Sequence, residues 1–133
     1  MILIIGGAYQ GKLEYAQNLT NYKKEEFLDG KTCEMDEIFH AKGILGFHEY
    51  VKRWLVQGRD PKELAEELRS KNPNLVVVTN ELGYGVVPCD ALDRQWREAT
   101  GRVCTKLAKA SKMVVRVVCG IGMVLKDETD SND

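Results

Sequence analysis

The sequence predicts an α/β fold, a mostly parallel sheet with helices on both faces. Three observations predict it. Three apolar runs, residues 2–5, 75–79 and 113–119, read as strands, and the first, without polar alternation, suits a central strand covered on both faces. Segments of helical spacing separate them, and this alternation calls for parallel strands joined by helical crossovers. A glycine-rich stretch, Gly6-Gly7-Ala8-Tyr9-Gln10-Gly11-Lys12, directly follows the first run.

The elements follow in order. After the glycine stretch, Leu13, Ala16 and Leu19 stand at helical spacing. Residues 21–36 are polar; Phe27-Leu28 suggests a short strand and Asp29-Gly30 a turn. Residues 35–40 read as helical, and Gly43 and Gly46 interrupt that pattern. Phe47, Tyr50, Val51, Trp54 and Leu55 form a second helical stripe, ended by Gly58. Asp60-Pro61-Lys62-Glu63 is a helix start: Asp60 caps, Pro61 suits the first turn, and Glu63 stands where a return bond is made. Leu64 and Leu68 supply that helix's buried stripe, and Pro73 closes the connection to the strand at 75–79. A loop over 80–89 follows. Asp90 then caps a helix reaching about Ala110, with Leu92, Trp96, Ala99, Val103 and Leu107 facing inward. We expect one domain over 1–126 and a frayed acidic tail over 127–133.

Composition narrows the function classes. The chain of 133 residues is 44% hydrophobic and 29% charged, which suits one globular domain. Its net charge of −1 argues against nucleic acid as partner, because duplex binding needs a basic surplus. A small phosphorylated ligand needs only one Lys and a few backbone N–H groups. Cys33, Cys89, Cys104 and Cys119 are scattered without a C-x-x-C pair, so no zinc site is expected and the thiols read as free. The apolar start is too short for a membrane span and lacks the features of a signal peptide. A cytoplasmic protein is the reading.

The glycine stretch carries the chemistry. Residues 6–12 match G-x-x-x-x-G-K, placed after a strand and before a helix. Gly6, Gly7, Ala8, Tyr9, Gln10, Gly11, Lys12 and Leu13 are therefore the candidate nucleotide-binding residues. Glycines let successive N–H groups turn inward, the helix start offers partial positive charge, and Lys12 reaches the outer phosphates. The pattern normally ends in Ser or Thr, whose hydroxyl ligates Mg²⁺; Leu13 offers no ligand. In parallel sheets ligands bind beyond the carboxyl ends of strands, which makes Asn80 and Glu81 candidates too. Glu81 is placed to support a metal or orient a hydroxyl; a solvated loop carboxylate is the alternative. Arg94 and Arg97 share a helix face, placed to meet a phosphate or a neighbouring subunit; a salt-bridged exposed face is the alternative.

These residues carry a family resemblance. Thr79-Asn80-Glu81-Leu82-Gly83-Tyr84-Gly85-Val86-Val87-Pro88 resembles the "(T/S)NE(V/L)GxG(I/V)VP" segment of adenosylcobinamide kinase/adenosylcobinamide-phosphate guanylyltransferase. Arg94-Gln95-Trp96-Arg97-Glu98 is similar to that family's "RxFRD", and Gly101-Arg102-Val103 and Val118-Cys119-Gly120-Ile121-Gly122 continue the likeness. The opening Ile4-Ile5-Gly6-Gly7-Ala8 with Gly11-Lys12 resembles "GGARSGKS". The resemblance implies a RecA-like P-loop fold and ATP- or GTP-dependent phosphorylation of the aminopropanol hydroxyl of adenosylcobinamide. It also implies transfer of GMP from GTP through a guanylylated His, and association as a homotrimer. The chain departs from the family pattern at several points. Leu13 stands for the loop Ser and Tyr9-Gln10 for Arg-Ser, and the middle is shortened. The "EMxxRIxxH" segment has only a partial echo in Glu34-Met35 followed by His40. His40 and His48 are the candidate nucleophiles, Glu49 stands in for a nucleotide-contacting Glu, and Arg97 is carried over as a nucleotide contact. Two readings stay open: a divergent transferase, and a nucleotide- or corrinoid-binding protein without turnover.

Overall fold

A computed structural model describes residues 1–82 and 90–129. Its order is β1 (Ile2–Gly6), α1 (Lys12–Thr20), β2 (Phe27–Asp29), β3 (Gly43–Leu45), α2 (Phe47–Val56), α3 (Pro61–Lys71), β4 (Val76–Asn80), α4 (Ala91–Ala110), β5 (Met113–Val118) and β6 (Ile121–Asp127). One six-stranded sheet results, in the order β2-β3-β4-β1-β5-β6. All neighbours are parallel except β5 and β6. The expected mostly parallel α/β fold is what the structure has.

The apolar runs become the central strands. β1 lies between β4 and β5, with Ile4 opposite Val78 on one side and Val115 on the other. Alternate residues of these strands enter two cores. Leu3, Val77 and Val114 meet α2, α3 and α4, where Phe47, Tyr50, Trp54, Leu64, Leu68, Val103 and Leu107 are buried. Ile4, Val78, Val115 and Val117 meet Ala16 of α1 on the other face. The three largest fully buried side chains, Trp54, Tyr50 and Phe47, all come from α2. Their polar atoms are satisfied: Tyr50 Oη donates to Met35 O at 2.7 Å and Trp54 Nε1 to Asp60 O at 2.9 Å.

Both expected caps form. Asp60 accepts from Lys62 N–H at 2.9 Å, with Pro61 in the first turn, and Asp90 accepts from Asp93 N–H at 2.7 Å. No return bond from Glu63 is present among the described residues.

The helical stretch expected over 35–40 is a 3-10 helix over 35–39. Three local expectations change. The glycine-punctuated stretch after that helix holds a strand, β3, where a Cβ on Gly43 would sit 2.5 Å from the Phe27 ring. A last strand, β6, extends the sheet antiparallel to β5. Leu92 is 45% exposed rather than inward, because α4's buried stripe begins only at Ala99. β6 runs through Asp127, and residues 130–133 of the expected tail lie outside the described residues. No described helix is long and apolar enough to cross a membrane.

Candidate functional site

The carboxyl ends of β1 and β4 lie side by side, with Gly6 opposite Asn80. Gly6 must be glycine there, because a Cβ would come within 2.5 Å of Val117 O. The chain then turns through Gly7, Ala8, Tyr9 and Gln10, with Tyr9 at φ 60° and Gly11 at φ 85°, and enters α1 at Lys12. Tyr9 is fully exposed at the tip of this loop. Lys12 is buried, and its Nζ crosses the loop to donate to Gly7 O at 2.5 Å. Burial lowers the pKa of its ammonium, and the charge of Glu81 opposes that shift. Leu13 packs into the core beneath α1, which is why this position serves the fold here.

Glu81 sits beside the loop. Its N–H donates to Gly6 O at 2.9 Å, and its Oε1 accepts from Arg116 Nε at 2.8 Å. Arg116 was not among the sequence candidates. Its signal was present: a lone Arg inside the run Val114-Val115-Arg116-Val117-Val118. The Arg116 side chain is 44% exposed, so the ion pair with Glu81 stands partly in solvent.

The structure separates the two histidines. His48, in the first turn of α2, accepts the Asn80 N–H at Nδ1, 3.2 Å away. That bond leaves the proton of the neutral ring on Nε2, which faces Glu49 Oε2 at 3.7 Å. Burial lowers the His48 pKa, Glu49 raises it, and Lys12 lowers it further. The Trp96 ring stacks 6.3 Å from the imidazole, and Trp96 Nε1 donates to His48 O at 2.7 Å. His48 thus bonds the backbone of β4 through Nδ1 and packs on Trp96 of α4, bracing these two elements against each other.

His40 is exposed and follows the 3-10 helix Met35–Phe39. Its neighbours Ile38 and Ala41 are bound through their carbonyls to Asn72, ahead of β4. That is the amino end of the sheet, about 13 Å of strand from Asn80. His40 therefore stands apart from the glycine loop, at the other end of the sheet.

Glu49 is at the carboxyl end, where its N–H meets Gly46 O at 2.9 Å. Arg97 is paired by Nε with Asp93 Oδ2 at 3.1 Å on its own helix. It lines a groove of about 810 Å³ between α3 and α4, rimmed by Lys62, Arg102, Lys106 and Lys109. None of the other candidate residues lines it. Among the described residues no group of three or more His, Cys, Asp or Glu is arranged to hold a metal. Gly83 to Cys89, the second half of the Asn80-Glu81 motif, lies outside the described residues.

Lys12, Asn80, Glu81, His48, Glu49 and Arg116 thus come together at one sheet end. Comparison with known families matches residues 50–125 to the model described as cobinamide kinase / cobinamide phosphate guanyltransferase. The chain belongs to this family. Two curated relatives are each named bifunctional adenosylcobalamin biosynthesis protein CobU, one from Salmonella typhimurium and one from Escherichia coli. Each is 48% identical over 52 residues, which is 39% of this chain and only 29% of the relative. The CobU-family match takes in Asn80, Glu81, Arg97 and Arg116, and it begins after the glycine loop.

Proposed function

We propose that this CobU-family chain binds a nucleoside triphosphate at Gly6–Leu13 and transfers its terminal phosphoryl group to the hydroxyl of a corrinoid, adenosylcobinamide. The observation that carries the reading is Lys12: a buried ammonium, drawn back onto Gly7 O, with Glu81 as its nearby countercharge. A phosphate entering the loop replaces Gly7 O as its partner. The start of α1 adds the N–H groups and partial charge of a helix terminus. Phosphoryl transfer depends chiefly on positioning and charge stabilisation, so a site this sparse suffices. The corrinoid hydroxyl oxygen attacks phosphorus, the bond to the leaving diphosphate breaks, and Glu81 orients the hydroxyl. Glu81 would hold Mg²⁺ brought by ATP or GTP, which would neutralise phosphate charge, because position 13 offers no hydroxyl. Asn80 and Glu49 border the nucleotide.

Guanylyl transfer through a protein histidine is not part of this reading, because His48 is engaged at Nδ1 and His40 lies elsewhere. The second reading, binding without turnover, is favoured by Leu13 and by the missing His motif. We place the protein in the cytoplasm, with free thiols at Cys33, Cys104 and Cys119. It self-associates with copies of itself through β6, an edge strand exposing Ile121, Met123, Val124 and Leu125. Titration with ATP and GTP, with and without Mg²⁺, tests the nucleotide site. Incubation with labelled GTP followed by denaturation tests the covalent step, and a protein-bound GMP adduct would contradict its exclusion.

A further inference from the structure

The glycine loop does not hold its shape alone. Gln10 faces the turn between β5 and β6 and makes two bonds to it. Its Oε1 accepts from Cys119 N–H at 2.6 Å, and its backbone carbonyl accepts from Gly120 N–H at 2.8 Å. Cys119 and Gly120 have φ of 52° and 78°, the two left-handed residues of a tight hairpin turn. Their amides are thereby presented outward to the loop. Gly11 lies against the same turn, where a Cβ would be 3.2 Å from Gly120 Cα. One helical turn on, the Tyr15 ring covers Gly122 so closely that any Cβ there would collide with it. Three successive points of the loop and α1 thus seat on three points of the hairpin.

The peptide geometry gives this clamp a consequence. In a trans peptide the carbonyl and the following N–H point in opposite directions. Fixing Gln10 C=O on Gly120 therefore aims Gly11 N–H away from the hairpin. We propose that Gln10 is a positioning residue of the phosphate site: the Cys119–Gly120 turn locks the Gln10–Gly11 peptide so that the Gly11 N–H is set for a phosphate oxygen. The hairpin that ends in the edge strand is then part of the nucleotide site, 109 residues away from Gln10 in sequence. The proposal rests on the reading of Gly6–Lys12 as a phosphate loop.

Gln10→Met keeps the side chain's length and removes the acceptor. Calorimetric titration with ATP, GTP and their diphosphates, alongside Lys12→Met, is the test. We expect Gln10→Met to weaken tri- and diphosphates alike, by about 3- to 10-fold, the size of one ordinary hydrogen bond. The ³¹P resonances of the bound nucleotide shift as well, which loss of stability alone would not produce. Unchanged affinity and unmoved resonances overturn the role of Gln10. Wild-type protein that binds no nucleotide overturns the phosphate loop itself, and the proposal with it. Should Gln10→Met not fold, amide exchange of the wild type decides. Bound nucleotide is expected to slow exchange at Cys119 and Gly120, and unchanged protection there refutes the clamp.

Discussion

Replacing Lys12 by Met separates charge from shape at the centre of the site. In the free protein the ammonium is buried and bonded to Gly7 O at 2.5 Å. On binding it trades this partner for the terminal phosphate. Both bonds involve the charged ammonium and contribute about 1.5–3 kcal/mol, and the phosphate bond, with charge on both partners, lies at the upper end. The difference, about 1 kcal/mol, predicts a loss of about 5-fold in triphosphate affinity. Diphosphate affinity changes little, because the terminal phosphate is absent. Stability moves by only about 1 kcal/mol, since the substitution removes a desolvated charge while leaving Gly7 O unpaired. Calorimetry on both nucleotides and denaturant unfolding measure the two effects. The pH dependence has a definite sign. Burial lowers the Lys12 pKa below 10.5, so the folded state releases this proton before the unfolded state does. Stability contributed by this site therefore rises as pH climbs toward 10.5, while triphosphate affinity falls as the charge is lost. Equal losses for di- and triphosphate in Lys12→Met would refute the placement of the ammonium at the outer phosphate.

Three further outcomes follow from the same geometry. His48 is held neutral with its pKa lowered from 6.5, so the unfolded chain binds its proton first and stability drops as pH falls through and below 6.5. His48→Asn keeps an acceptor for Asn80 N–H, and its acid unfolding curve should lose that slope. Leu13→Ser removes apolar packing beneath α1 and should lower stability by about 1–3 kcal/mol. It supplies the missing hydroxyl, so nucleotide binding should gain Mg²⁺ dependence in calorimetry. Gly6→Ala drives a Cβ to 2.5 Å from Val117 O and should cost about 1–3 kcal/mol in denaturant unfolding, with nucleotide binding impaired.

What was legible in the sequence follows from where each element lies. β1 and β4 are covered on both faces, and β5 is over Val114 and Val115, so their apolar runs announce them. Asp60 and Asp90 announce their helices because capping is local chemistry. β3 is three residues long and contains Gly43, whose missing side chain makes room for the Phe27 ring. A packing requirement there looks like a chain break in the sequence. β6 lies at the edge with apolar residues exposed on both faces, so no alternation marks it. Lys12 is a candidate in the sequence because the loop motif is contiguous. The hold of Asn80 on His48 spans 32 residues, and that of Glu81 on Arg116 spans 35, and no local pattern encodes such pairs. The lone Arg in a valine strand was the one available sign.

Phosphoryl transfer itself tests the central claim most directly. Wild-type protein is incubated with terminally labelled ATP or GTP and adenosylcobinamide, and the corrinoid is separated and counted. The account predicts label in a corrinoid phosphate, strongly reduced in Lys12→Met. Bound nucleotide with no label in the corrinoid would contradict it and leave a protein that binds without turnover.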